Sequence, residues 1–187
     1  MSFVFKSLEI PGVILVESKV STDERGFFME TYKASEFKIN GIDVNFMQDN
    51  HSFSKAGVIR GLHFQCNPHA QGKLVQVVQG KVFDVAVDIR QGSPTYGKWV
   101  GIILSGENHM MLWIPIGFAH GYCVLENGTH LLYKVCGSEY NPQNDRSILW
   151  NDSQINVQWP IQNPDLSNKD RHAKNLCDVD NNFFYRK

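Results

Sequence analysis

At 187 residues, 42% hydrophobic and 20% charged, the chain is long enough to bury a full core as one domain. A formal net charge of −1 argues against non-specific nucleic-acid binding, which needs a clustered basic surface, and no apolar run approaches the roughly 20 residues that span a bilayer. The opening MSFVFKSLEIPG lacks the layout of a signal peptide, and Cys66, Cys123, Cys136 and Cys177 are scattered with no C-x-x-C pair, so reduced thiols in a cytoplasmic protein are expected.

Short apolar alternation from Val13 to Val16, after Pro11-Gly12, predicts an early strand. Asp23-Glu24-Arg25-Gly26-Phe27-Phe28-Met29-Glu30 reads as a turn entering a strand. It is either a surface turn with two core phenylalanines or a rim where Arg25 meets an anion and an aromatic stacks on a ring. Tyr32 to Ile39 is the best helix candidate, with Phe37 and Ile39 as its apolar contacts. The cluster Gln48-Asp49-Asn50-His51-Ser52 follows a short strand; such amide-rich clusters make turns and also suit the donor–acceptor edge of a pyrimidine base.

The stretch from Gly57 to Arg90 organises the chain. In its second half Phe83, Val85, Val87 and Ile89 alternate with Asp84, Ala86 and Asp88, the period of a strand with one buried face. Gln79-Gly80 stands where a two-residue hairpin needs positive φ. The first half carries Arg60, His63, Gln65, Gln71 and Lys73 among apolar neighbours, which predicts a polar patch lining a cavity. Gly92 to Gly97 is a loop, and strands are expected over 99–104, 112–116, 121–125 and 130–135. From Asn141 onward Pro142, Pro160 and Pro164 break any long periodicity, Trp150 and Trp159 read as structural, and Ser167 is a fair N-cap for a short helix. The tail 171–187 is expected to be peripheral. With no internal repeat or linker, residues 1–187 form a single domain.

Two segments resemble the paired motifs of the cupin jelly roll, an all-β fold of two antiparallel sheets. Pro115, Gly117 and His120 keep the second motif, P-x-G-x-x-H. Where the metal-binding form of the first motif reads H-x-H, this chain has His63-Phe64-Gln65, and seven residues before Gly80, where the family places Glu, stands Lys73. An ammonium is three donors with no acceptor and repels a cation, so a metal-free site is expected.

As a set, D-E-R-G-F-F-x-E, Q-D-N-x-S, R-G-L-H-x-Q, Q-G-K-L-V, D-V-A-V-D-x-R, G-S-P-T-x-G, W-I-P-x-G-F-A-H-G and L-S-x-K-D, in that order between Asp23 and Asp170, resemble the dTDP-4-dehydrorhamnose 3,5-epimerase family. The resemblance implies a thymidine-diphosphate sugar substrate whose C4 ketone acidifies the hydrogens on C3 and C5. It also implies an enolate mechanism without cofactor. By the same matching His63 is the base, Asp170 its partner, Lys73 the cation steadying the enolate oxygen, and Tyr133 the opposing acid. An imidazole, with a free value near roughly 6.5, accepts a proton at neutral pH, and a phenol, near roughly 10, keeps its own. Arg25 and Arg60 match diphosphate clamps. Gln48, Asp49, Asn50 and Glu30 match nucleotide-side contacts, and His120 and Lys169 line the sugar–diphosphate side. Asp145 stands where the family has Glu. Family members are homodimers that exchange N-terminal strands, which would carry Asp23 to Glu30 to the partner's site. Inversion at C3 alone, or a silent nucleotide-sugar-binding cupin, are the competing readings.

Overall fold

The computed structural model describes residues 2–185. Along the chain run β1 (Phe3–Ser7), β2 (Ile14–Ser18), β3 (Ser21–Asp23), β4 (Gly26–Phe28), α1 (Ala34–Ile39), β5 (Phe46–Ser54), β6 (Ile59–Gln65) and β7 (Gly72–Gln79). They are followed by β8 (Lys81–Asp88), β9 (Trp99–Ser105), β10 (Met110–Ile114), β11 (Phe118–Val124), β12 (Thr129–Cys136), β13 (Asp145–Ser147) and α2 (Asn168–Arg171). A six-stranded antiparallel sheet, β1-β2-β10-β7-β12-β5, faces a five-stranded one, β13-β6-β11-β8-β9, while β3 and β4 pair by themselves. This is the all-β, cupin-type jelly roll.

Three apolar layers hold it. Val75, Val77, Leu112 and Leu131 from the larger sheet meet Val82, Ala86, Leu104 and Val124 from the smaller, and form the core between them. On the outer face of the larger sheet, Phe37 of α1 packs on Phe3, Val16, Leu74 and Met111. Ile39, expected to share that contact, is 74% exposed, because residues two apart on a helix point to different sides.

The Gln79-Gly80 pair is not a hairpin. β7 and β8 belong to different sheets, and Gly80, at φ +80°, turns the corner between them, where a Cβ would fall 2.3 Å from Thr129 Oγ1. Nor has β8 one solvated face: Asp84, Ala86 and Asp88 are as fully buried as Val85 and Val87. The second face is covered by the chain after β13. Ile148, Ile155, Leu176 and Phe183 close over Leu62, Phe64, Val85 and Val87, so the tail is a structural layer and not a peripheral extension. Two further expectations are corrected. Gln48–Ser52 is the middle of strand β5 and not a turn, and Phe27 and Phe28 lie outside any core, 60% and 73% exposed on the β3–β4 hairpin.

One buried carboxylate ties the covering layer together. Asp152, 3% exposed, accepts from the backbone N–H of Gln154 and Ile155 through Oδ1 (2.8 and 2.9 Å) and from Leu176 N–H through Oδ2 (2.8 Å). Asp152→Ala would strand the buried Ile155 and Leu176 donors and free the part-buried Gln154 N–H, at a cost of about 3 kcal/mol. A fall in Tm of roughly 6–12 °C is expected in calorimetry, with near-native far-UV dichroism below the transition.

Candidate active site

The cleft between the sheets starts from an irregularity in β6. His63 pairs with His120 of β11 and Arg60 with Tyr122, so three steps on β6 match two on β11. The extra residue is a bulge at Gly61–Leu62. In a regular strand residues 60 and 63 would face opposite ways; across the bulge both line the same hollow. Gly61 has φ +142°, and a Cβ there would lie 2.5 Å from Gly121 Cα, so both glycines allow β6 and β11 to close at this point.

The hollow has two lobes, of about 530 and 350 Å³, that share Asn50, His63, Lys73 and Tyr133. The smaller sheet supplies Arg60, His63, His120 and Tyr122, and the larger supplies Lys73 from β7, Tyr133 from β12, and Gln48, Asn50 and Ser52 from β5. Thus His63 and Tyr133 reach in from facing sheets, and Lys73 Nζ lies 5.9 Å from the centroid of the Tyr133 ring.

Asp170, 107 residues from His63, arrives on α2. Backbone bonds Ile59 N–H to Asp165 O (3.1 Å) and Asp165 N–H to Gly57 O (2.8 Å) pin the preceding segment to the start of β6. Ser167 Oγ then caps the helix by accepting from Asp170 N–H at 3.1 Å, as its sequence suggests. The Asp170 side chain, 3% exposed, stands 2.5 Å from His63 Nε2. A carboxylate can only accept, so Nε2 carries the proton and Nδ1 remains the basic nitrogen. Burial alone would raise the Asp170 carboxyl, but His63, Ser167 and Lys169 together outweigh it and hold the group below the usual carboxylate range.

Burial lowers Lys73 to about 8, against the attraction of Asp145 and Asp84 and with help from Lys169. Among the described residues, none forms a salt bridge with it. Burial raises the phenol of Tyr133, which therefore stays protonated at neutral pH, and pushes Tyr122, bonded to Ser52 Oγ at 2.8 Å, up to about 12. At the second lobe Asp145 accepts from Tyr140 Oη at 3.0 Å and pairs with Lys169, Gln48 Oε1 accepts from Tyr140 N–H at 2.9 Å, and Gln48 Nε2 donates to Asn50 Oδ1 at 2.9 Å. Gln65 is committed to backbone: Nε2 donates to His69 O at 2.8 Å and Oε1 accepts from Asn141 N–H at 2.7 Å.

Three expected residues are not brought to this cleft. Asp49 alternates to the outer face of β5, where it pairs with Lys134 at 3.1 Å beside a separate hollow of about 230 Å³. Arg25 is exposed on the β3–β4 hairpin and pairs with Asp23 at 2.5 Å; Glu30 lies by Lys33, at 3.9 Å. Sequence reading missed Tyr122 and Tyr140, which carry no spacing signal. It also missed Asp84, whose signal was a carboxylate inside an apolar strand.

A family model described as dTDP-4-dehydrorhamnose 3,5-epimerase matches residues 7–178. The dTDP-4-dehydrorhamnose 3,5-epimerase of Shigella flexneri is 55% identical over 173 residues, 92% of this chain and 95% of that one. The crystal structure of a dTDP-6-deoxy-D-glucose-3,5-epimerase from Legionella pneumophila, in complex with dTDP-4-keto-L-rhamnose, superposes with a TM-score of 0.91 at 47% identity, covering 95% of each chain. A 3′-monoepimerase from Streptomyces bikiniensis in complex with dTDP-quinovose has a TM-score of 0.85 at 31% identity, over 91% of this chain and 86% of that one.

The depressed Lys73 has a cost in stability. Its folded value, about 8, lies below the roughly 10.4 of an unfolded lysine, so between those values the unfolded chain binds more protons. The penalty is fully present below pH 8 and is relieved as pH rises through the window. Lys73→Met should therefore raise stability at pH 7 by on the order of 1 kcal/mol, allowing for its partial solvent contact. Denaturant melts of both proteins from pH 7 to 10.5 should show that advantage shrinking with pH.

Proposed function

The chain belongs to the dTDP-4-dehydrorhamnose 3,5-epimerase family, and on that premise we propose that it inverts C3 and C5 of dTDP-4-dehydro-6-deoxy-D-glucose to give dTDP-4-dehydro-L-rhamnose. The observation that carries the assignment is the His63–Asp170 pair facing Tyr133 across one cleft, with Lys73 between the sheets. Each inversion begins when His63 Nδ1 removes the hydrogen from a carbon beside the C4 ketone. The electron pair moves onto the C4 oxygen, where the Lys73 ammonium meets the developing charge. Asp170 stabilises the imidazolium and keeps the ring oriented. Tyr133 then protonates the carbon from the other face, and solvent restores both groups. C3 and C5 flank the same ketone, so one set of residues serves both centres once the ring is reseated. Arg60 and Lys169, at opposite lobes, suit the diphosphate, while Gln48 and Asn50 suit the base. Identities of 55% and 47% with 3,5-epimerases, against 31% with the monoepimerase, favour the double inversion over inversion at C3 alone.

A homodimer is part of this reading. The β3–β4 hairpin pairs only with itself and exposes Phe27 and Phe28, an apolar surface that a second copy would cover. Arg25 at its tip and Glu30 behind it are then available to a neighbour's nucleotide. A cytoplasmic location fits four unpaired cysteines, three of them buried.

Proton NMR of the reaction in heavy water separates the roles. His63→Ala should abolish both exchange and inversion. Tyr133→Phe should still admit deuterium at C3 or C5 with configuration retained, while inversion falls on the order of 10²-fold or more. Full-rate inversion in both variants would defeat the mechanism.

Light scattering at low micromolar concentration should give twice the chain mass. Arg25→Ala should raise KM while leaving that mass unchanged. A fully active monomer would rule out the shared site.

A further inference from the structure

Among the buried ionisable groups that the proposed mechanism leaves unused, Asp84 is the carboxylate bonded to a side chain of the cleft. Asp84, at the centre of β8, has no solvent exposure. Its strand is hydrogen-bonded on both sides, with Asp84 opposite Tyr122 of β11 and Ile102 of β9. Burying a carboxylate there is expensive unless a cation or donor compensates it. One donor is explicit: His120 Nε2 lies 2.9 Å from Oδ2 and 3.1 Å from Oδ1. Since a carboxylate only accepts, the proton is on Nε2, and Nδ1 is the nitrogen left to His120 where it lines the cleft.

The arrangement repeats that of the proposed base. His63 and His120 are directly opposed in the β6–β11 register, and each gives Nε2–H to a buried aspartate. Their surroundings differ. His63 is 30% exposed by side chain, whereas His120 is 6% exposed. Burial, Lys73 and His63 depress the His120 imidazole despite Asp84, so it stays neutral, and its Nδ1 is an acceptor. A neutral acceptor cannot stabilise an oxyanion; it can take a hydrogen bond from a sugar hydroxyl. The charge of Asp84 also favours the Lys73 ammonium.

We propose that Asp84 is a positioning residue of the epimerisation site, which fixes His120 in the Nε2–H tautomer as acceptor for a sugar hydroxyl. The inference rests on the proposed epimerisation but makes a claim about this chain that can be read without turnover. Asp84 touches no substrate; it acts through His120. The other ionisable groups around the pair are His63, Lys73, Arg60 and Tyr122, with Asp145 and Lys169 beside Lys73, and substitution at Asp84 leaves all of them in place.

The test is Asp84→Asn, with heteronuclear ¹H–¹⁵N NMR of ¹⁵N-histidine-labelled protein beside steady-state kinetics. In the unaltered protein His120 should hold Nε2–H from pH 6 to 8. In the variant the amide can donate to or accept from Nε2, so the Nδ1–H tautomer should appear. kcat/KM should fall by about 10–100-fold, the scale for losing a partner that orients a histidine. An unchanged tautomer in the variant would overturn the proposal, even if activity fell, because a merely structural role gives that result. If the variant does not fold, the unaltered protein decides alone: an Nδ1–H or doubly protonated His120 at neutral pH would refute the assignment. Absence of epimerisation in the unaltered protein would fault the functional reading and leave the tautomer result standing.

Discussion

The close approach of β6 and β11 is the constraint on which the site depends. Gly61 and Gly121 meet where any side chain would collide, and the extra residue on β6 is absorbed there. That one irregularity brings Arg60 onto the same face as His63 and sets His63 opposite His120. Without it, either the arginine or the histidine would point into the outer apolar layer with Leu62 and Phe64. The bulge is thus what converts a two-sheet sandwich with a continuous core into one with a polar hollow.

The hollow is lined by groups of both signs, arranged so that neither dominates. Lys73, Arg60 and Lys169 bring positive charge; Asp145 and Asp170 at its wall, and Asp84 buried behind His120, bring negative charge, each engaged with a histidine, a lysine or a tyrosine. Such pairing keeps carboxylates ionised inside a protein without leaving bare charge in a low-dielectric space. Among the described residues two cations stand apart: Arg60 bonds only to Ser54 Oγ and the Phe53 carbonyl, and the Lys73 ammonium is attracted by Asp84 and Asp145 but held by neither in an ion pair. An incoming oxyanion would complete the balance.

Much of this was legible in the sequence, and the failures share physical causes. Strands β9 and β12 and the Ser167 cap follow from apolar runs and local side-chain chemistry, whereas β10 and β11 begin two or three residues before the segments that bracket the second motif. β5 was read as a turn because its inward residues are Gln48, Asn50 and Ser52, while Met47 and Phe53 face out. A strand lining a polar cleft inverts the usual pattern, so hydrophobic alternation hides it. Gly80 marks a sharp change of direction correctly, yet no local pattern says whether the chain returns along the same sheet or enters the other. The tail buries single residues, Leu176 and Phe183, at no regular spacing, which leaves no period to detect. Asp84 was visible, but a charge alternating with Val85 and Val87 reads as a solvated face unless the covering strands are known.

The segment that carries Asp170 has a further consequence. It is a four-residue helix, joined to the barrel through Asp165 on one side and the Ile148–Lys174 bridge on the other. Besides those backbone bonds, the side-chain pairs His63–Asp170 and Asp145–Lys169 hold it, and so short an element opens at lower free energy than the sheets beneath it. The barrel can therefore remain folded while the carboxylate swings away from the imidazole. On warming, the enzyme would lose its chemistry as a reversible local event before its scaffold melts, so its working temperature would be governed by the latching of one short turn.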